Sequence, residues 1–142
     1  MVAVVGRFQD TVPVEYGGDV RADLTRYLNA IVAGLDRMRQ AGRPATSGDT
    51  SAGLVAEVAA AAARHRDVGE AVQPMFRRRN ALVLTLLEQA REQGELRADL
   101  DPEVLFDQLA GALYYRLLIT GRPLDAAYVD QLVTDALRGA LA

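Results

Sequence analysis

Apolar residues recur with helical spacing along most of this chain, and this pattern constrains the fold more than any other feature. In residues 24–38 the apolar side chains share one helical face at i, i+4, i+7, i+11 and i+14: Leu24, Leu28, Ile31, Leu35 and Met38. No segment of useful length shows the period-two alternation typical of a strand. The sequence therefore predicts an all-α protein.

Capping residues and helix breakers set the expected helix boundaries. Asp19, Asp101 and Asp125 are suited to the N-cap position because their carboxylates can accept hydrogen bonds from first-turn backbone N–H groups. Gly94 is suited to a helix end that needs left-handed backbone, and Pro74 predicts a kink or a late helix start. The predicted helices cover about 20–40, 51–66, 67–93, 102–120 and 126–141.

Length, charge and composition exclude several classes of protein. The 142 residues suit one domain, and the absence of cysteine excludes disulfides and thiolate metal sites. A net charge of −3 argues against nucleic-acid binding by this chain alone, and no apolar run approaches a membrane span. A single histidine, His65, cannot build a metal site. We therefore expect a cytoplasmic protein without membrane partner, metal, cofactor or enzymatic activity.

The last two predicted helices carry more apolar surface than one face of a bundle needs. Residues 109–119, with the sequence LAGALYYRLLI, are apolar almost all round, so this helix must be covered on more than one side. The last helix has an apolar stripe at Val129, Leu132, Val133, Ala136, Leu137 and Ala140. Two arrangements remain open: these faces fill the core of one chain, or they form a four-helix interface with a second copy.

A family resemblance is carried by residues 92–103 and 111–125, with the sequences EQGELRADLDPE and GALYYRLLITGRPLD. Both segments, together with DVRADL at residues 19–24, resemble the C-terminal domain of tetracycline-repressor (TetR) family regulators. The resemblance covers about residues 19–140. It implies a bundle of about five to six helices, with a cavity for an unknown small molecule and a homodimer formed through the last two helices.

The same resemblance implies a domain division and a missing part. Residues 1–18 correspond to the end of a linker helix and a connection, and residues 19–142 to the ligand-binding and dimerisation domain. The N-terminal helix-turn-helix of the family has no counterpart here, so DNA binding would require that head. The chain is predicted to be the sensing part of a transcription regulator. The alternatives are a headless helical protein that pairs with a full-length partner and a non-regulatory bundle that binds a small molecule.

Helix phase and the resemblance together suggest site residues. The predicted ligand-binding residues are Leu54, Val58, Met75, Phe76, Tyr114 and Arg116. The predicted dimer-interface residues are Tyr115, Ile119, Val129, Leu132, Val133, Ala136 and Ala140. Core packing is the alternative for the apolar residues and both tyrosines. For Arg116 the alternatives are an anchor for an anionic ligand and a structural role, either in a salt bridge or in a bond to helix-end carbonyls.

A run of three arginines, residues 77–79, is the most basic segment of the chain. Three consecutive helical residues spread over about 200°, so they cannot form one basic patch. We therefore expect this run to belong to a solvated helix surface. Phosphate contact is the alternative.

Overall fold

The structure is a computed structural model that describes residues 15–41 and 51–142, with side chains described except at 37–41, 51–56 and 58. Predictions on residues 1–14 and on the side chains of Met38, Leu54 and Val58 lie outside the described residues. The described part contains an isolated β-bridge, Leu96 to Leu141, but no strand. Its helices are α1 (Val20–Ala41), α2 (Ser51–Arg64), α3 (Arg66–Glu92), α4 (Pro102–Tyr115) and α5 (Ala126–Arg138).

The helix boundaries follow the capping residues. The carboxylates of Asp19, Asp101 and Asp125 accept hydrogen bonds from first-turn backbone N–H groups at 3.1, 2.9 and 2.8 Å. Gly94 follows α3 with a φ of 82°, the left-handed conformation that a side chain resists. These four sequence predictions are confirmed. The all-α architecture is confirmed as well, because the capping residues and the apolar periodicity predict the same helices.

Two helical details differ from the prediction. Helix α3 runs through Pro74, so the late start is wrong and a kink at Pro74 stays a prediction. Pro74 is exposed, so water can hydrogen-bond to the carbonyl that the missing N–H leaves unpaired. Helix α4 continues into a π-helical turn, Arg116–Thr120, which ends at Gly121 with a φ of 65°. No sequence signal pointed to the change from α to π geometry.

One hydrophobic core joins four of the helices. Helix α1 packs along α5, α3 contacts α1 and α4, and α2 packs on α3 and on the π-helical turn. The most deeply buried side chains are Val20, Leu24, Leu28, Val83, Leu87, Leu96, Leu109, Leu113, Val129, Val133 and Leu137. No helix in the described part of the chain is both long and apolar enough to cross a membrane.

The loop between α3 and α4 ties both ends of the described chain to the bundle. The Glu95 Oε2 atom accepts hydrogen bonds from the Tyr16 hydroxyl at 2.7 Å and from the Val20 backbone N–H at 3.0 Å. On the other side, the Arg97 N–H donates to the Ala140 carbonyl at 2.9 Å. Glu95 therefore caps the start of α1, and the same loop also holds the chain end after α5.

Candidate functional site

Arg79 lies within the buried face of α3, although its two neighbours do not. Its side chain is 6% exposed, whereas Arg77 and Arg78 are exposed. The helical register explains the difference, because Arg79 stands seven residues after buried Val72 and four before buried Val83. The prediction of a solvated surface is wrong for Arg79. It fits the other two arginines.

The Arg79 guanidinium is only partly compensated. Its Cζ atom lies 5.1 Å from the centre of the Tyr27 ring, within the range of a cation–π contact. The Tyr27 ring packs in turn on Phe106, with 6.1 Å between ring centres. Within the described residues, however, the buried Arg79 Nη2 atom has no hydrogen-bond partner. A buried donor without a partner costs free energy, so this atom marks a place where a ligand group would be stabilised.

Tyr27, which contacts Arg79, and Tyr114, which lies near Tyr27, both remain protonated at neutral pH. Burial raises the pKa of Tyr114 to about 12, and the nearby Tyr27 adds to the shift. Burial also raises the pKa of Tyr27, although the positive charge of Arg79 acts in the opposite direction. Neither phenol is therefore a counter-ion for Arg79. Both hydroxyls can serve as hydrogen-bond donors.

We define the Arg79 cluster as Tyr27, Met75, Phe76, Arg79 and Tyr114. Met75 and Phe76 are half-buried one turn before Arg79, and Tyr114 is half-buried next to Tyr27. Three of the predicted ligand residues thus lie in one region. Sequence analysis missed Tyr27 and Arg79, although the apolar spacing around each of them could have revealed their burial.

Arg116 makes structural contacts elsewhere. Its Nη1 atom donates a hydrogen bond to the Pro123 carbonyl at 2.9 Å, and its Cζ atom lies 3.7 Å from the centre of the Tyr128 ring. These contacts join the π-helical turn to the start of α5. These contacts agree with the structural role considered for Arg116 in the sequence analysis. A ligand contact for Arg116 stays a prediction.

The predicted interface residues occupy different environments. Tyr115 and Ile119 are 58% and 69% exposed, and Leu132 and Ala136 are half-buried against the core. The remaining three predicted residues, Val129, Val133 and Ala140, are buried inside the chain's own core. These three side chains have almost no exposed surface that a partner could contact, because the apolar stripe of α5 packs on α1. Their assignment to a partner is therefore corrected to the core.

His65 and the buried carboxylate of Asp23 are further polar groups of the described chain. His65 is exposed where α2 gives way to α3. Asp23 is buried, and its carboxylate accepts a hydrogen bond from the Gly17 N–H and pairs with Arg26, both at 2.7 Å. Among the described residues, no group of three or more His, Asp or Glu side chains could hold a metal ion.

Comparisons with known proteins agree on one family. A family model described as "Tetracyclin repressor-like, C-terminal domain" matches residues 14–136. A relative from Bacillus subtilis (strain 168), the uncharacterized HTH-type transcriptional regulator YdeS, is 44% identical over 64 residues, which are 45% of this chain and 32% of YdeS. The crystal structure of the TetR family transcription regulator SCO0332 superposes with a TM-score of 0.76 at 36% identity.

That superposition covers 94% of this chain and 68% of the solved one. The match to YdeS, by contrast, spans about a third of that relative's length. The agreement therefore concerns the helical bundle described above.

Proposed function

Because the chain belongs to the tetracycline-repressor-like C-terminal domain family, we propose that it senses a small molecule and forms a homodimer within a transcription regulator. The observation that carries this proposal is the match over residues 14–136, together with the agreement in fold with a solved TetR family regulator. Both relatives named above are transcription regulators by their names. We propose DNA binding for the whole regulator, through a helix-turn-helix (HTH) head. The support is the name of YdeS, which calls that relative an HTH-type regulator.

The Arg79 cluster supports the sensing part of the proposal. Ligand sites in proteins are mostly apolar and contain a few polar groups that orient the ligand. The cluster combines one guanidinium, which contacts the Tyr27 ring, with a second phenol near Tyr27 and with Met75 and Phe76 one turn before Arg79 on α3. The cluster also draws on α1, α3 and α4, so a ligand held there would contact three helices of the bundle.

An exposed apolar face supports the homodimer. Val104, Gly111 and Tyr115 lie on one side of α4, at i, i+7 and i+11, and all three are exposed. Ile119 extends this apolar surface into the π-helical turn. Exposed Gln108 lies between Val104 and Gly111 on this side. Exposed apolar residues grouped on one side of a helix are typical of a surface that another protein covers. We name Val104, Gly111, Tyr115 and Ile119 the α4 face.

Native mass spectrometry of the purified chain at low micromolar concentration tests the proposal. We expect a dimer that carries an additional small mass, which can then be extracted and identified. An empty dimer would support the interface but not the sensing. A bare monomer without a bound molecule would contradict both parts and would favour a helical protein that pairs with a different partner.

A further inference from the structure

We propose that Arg79 binds the carboxylate of an apolar organic acid, so that the effector of this domain is a monoanion. The inference rests on the proposed sensing function and specifies the chemical class of its ligand. It starts from the buried Nη2 atom, which has no hydrogen-bond partner within the described chain.

The first step concerns the sign of the ligand's charge. Arginine is the cationic side chain that proteins use most often for buried ion pairs, because its planar fork of N–H donors matches an anionic group. Tyr27 contacts the guanidinium through its ring and a side-chain hydrogen bond, but the Nη2 atom has no hydrogen-bond partner within the described chain. None of the described ion pairs includes Arg79. An anionic acceptor would satisfy both the charge and the donor geometry.

The second step distinguishes a carboxylate from a phosphate. The Arg79 cluster contributes one cation, because Arg77 and Arg78 point to solvent. One guanidinium balances one negative charge and can bind a carboxylate through two parallel N–H···O bonds. The Tyr27 hydroxyl, next to Arg79, remains protonated and can donate a further hydrogen bond. A phosphate dianion would keep an uncompensated charge in this buried region.

The third step concerns the rest of the ligand. Met75 and Phe76 are half-buried one turn before Arg79, and Phe106 packs on the Tyr27 ring. Apolar and aromatic side chains of this kind favour an aliphatic or aromatic body. The ligand class is therefore an acid with an apolar chain or ring, and not a polar hydroxy acid or a sugar acid.

Thermal unfolding of the purified chain with matched pairs of compounds tests the inference. The pairs are octanoate with octanamide, decanoate with decanamide, benzoate with benzamide and phenylacetate with phenylacetamide, all at neutral pH. We expect at least one acid to raise Tm while its amide raises it much less, because only the acid carries the charge. If no acid raises Tm more than its amide does, the inference is overturned.

Variants then assign the effect to Arg79. For the acid with the largest effect, we expect Arg79→Met to weaken binding about ten- to a hundredfold, the range given by hydrogen bonds to a charged group. Arg78→Met removes an exposed neighbouring charge and should leave binding unchanged. Equal weakening by both variants would point to a general charge effect and would contradict the inference. The acid-to-amide comparison needs no variant, so it stays decisive if Arg79→Met fails to fold.

The mass of the molecule that accompanies the dimer separates the two proposals. A neutral molecule bound to the dimer would overturn the carboxylate inference and leave the sensing function supported. An organic acid would support both. Absence of the dimer and of any bound molecule would contradict the proposed function itself.

Discussion

At the scale of single residues, the feature with the greatest energetic consequence is a charge buried in an apolar helix face. Arg79 is 6% exposed and has an unpartnered donor within the described chain. Such a group destabilises the ligand-free fold, because protein contacts replace only part of the lost hydration. The residue that would bind the ligand is thus also a source of instability when the ligand is absent.

We therefore expect Arg79→Met to stabilise the ligand-free chain by about 1 kcal/mol or more, since replacing a buried charge by an apolar side chain is often stabilising. Urea denaturation monitored by circular dichroism measures this change. Arg78→Met is the matched control and should stay within about 0.5 kcal/mol of the wild type. A loss of stability specific to Arg79→Met would show that the guanidinium is fully satisfied in the ligand-free chain.

A second residue-scale prediction concerns pH. The hydrogen bond to Glu95 raises the pKa of Tyr16 from 10.0 to about 12, with further contributions from burial and neighbouring carboxylates. The folded state thus favours the protonated phenol, so its stabilisation is complete below pH 10 and is lost as pH rises through about 12. We expect Tyr16→Phe to lose less stability than the wild type over this range.

Denaturation midpoints measured between pH 10 and 12 test this expectation. In a Glu95→Gln background the carboxylate that raises the pKa is absent, so Tyr16→Phe should make a much smaller difference there. Parallel curves for the wild type and Tyr16→Phe in the original background would contradict the assignment.

Sequence reasoning at this scale predicted three residues of the Arg79 cluster. Helix phase suggested Met75, Phe76 and Tyr114, because apolar and aromatic residues indicate the buried side of a helix. The same reasoning assigned Arg79 to solvent, because charge usually indicates exposure. Only the position of Arg79 between Val72 and Val83 indicates burial, and that spacing competes with the stronger signal of a three-arginine run.

At the scale of helices, local chemistry was sufficient to predict most boundaries. The caps at Asp101 and Asp125 and the break at Gly94 depend on backbone groups within a few residues, so the sequence contains them. The π-helical turn after Tyr115 packs on α2, which is distant in the sequence, and it left no local signal. The α5 stripe shows the other limit: periodicity identifies an apolar face but not the element that covers it.

Two glycines at helix ends allow a matched test of backbone strain. Gly94 has a φ of 82°, whereas Gly139, the residue after α5, has a φ of −90°. An added Cβ meets no atom within 4 Å at either site, so backbone conformation is what distinguishes them. We expect Gly94→Ala to destabilise the chain by about 1 kcal/mol and Gly139→Ala to have little effect. Chemical denaturation measures both, and equal effects would exclude left-handed strain at Gly94.

At the scale of the whole molecule, the proposed ligand site and the proposed interface meet on one helix. Tyr114 is half-buried beside Tyr27, and the next residue, Tyr115, is exposed on the α4 face. Consecutive helical residues point about 100° apart, and the different burial of the two tyrosines agrees with the divergence expected from the sequence. A small rotation of α4 on ligand binding would therefore move the α4 face as well.

We expect Ile119→Arg to convert the dimer to a monomer with unchanged helicity, because it places a charge on the exposed α4 face. Ile119 is a better test position than Ala136, which packs against the core. Leu82→Arg is the matched control: Leu82 is also apolar and 49% exposed, but lies on α3. Sedimentation velocity and circular dichroism measure both properties. A dimer that survives Ile119→Arg and dissociates with Leu82→Arg would place the interface on α3.

The position of Glu95 also has a mechanical consequence. Tyr16 and Val20 are hydrogen-bonded to its carboxylate, and the Ala142 N–H donates to its backbone carbonyl at 3.2 Å. Tension applied between residues 16 and 142 would therefore fall on the bonds around this loop before it reached the core. A force transmitted along the chain before α1 would therefore act first on the loop between α3 and α4.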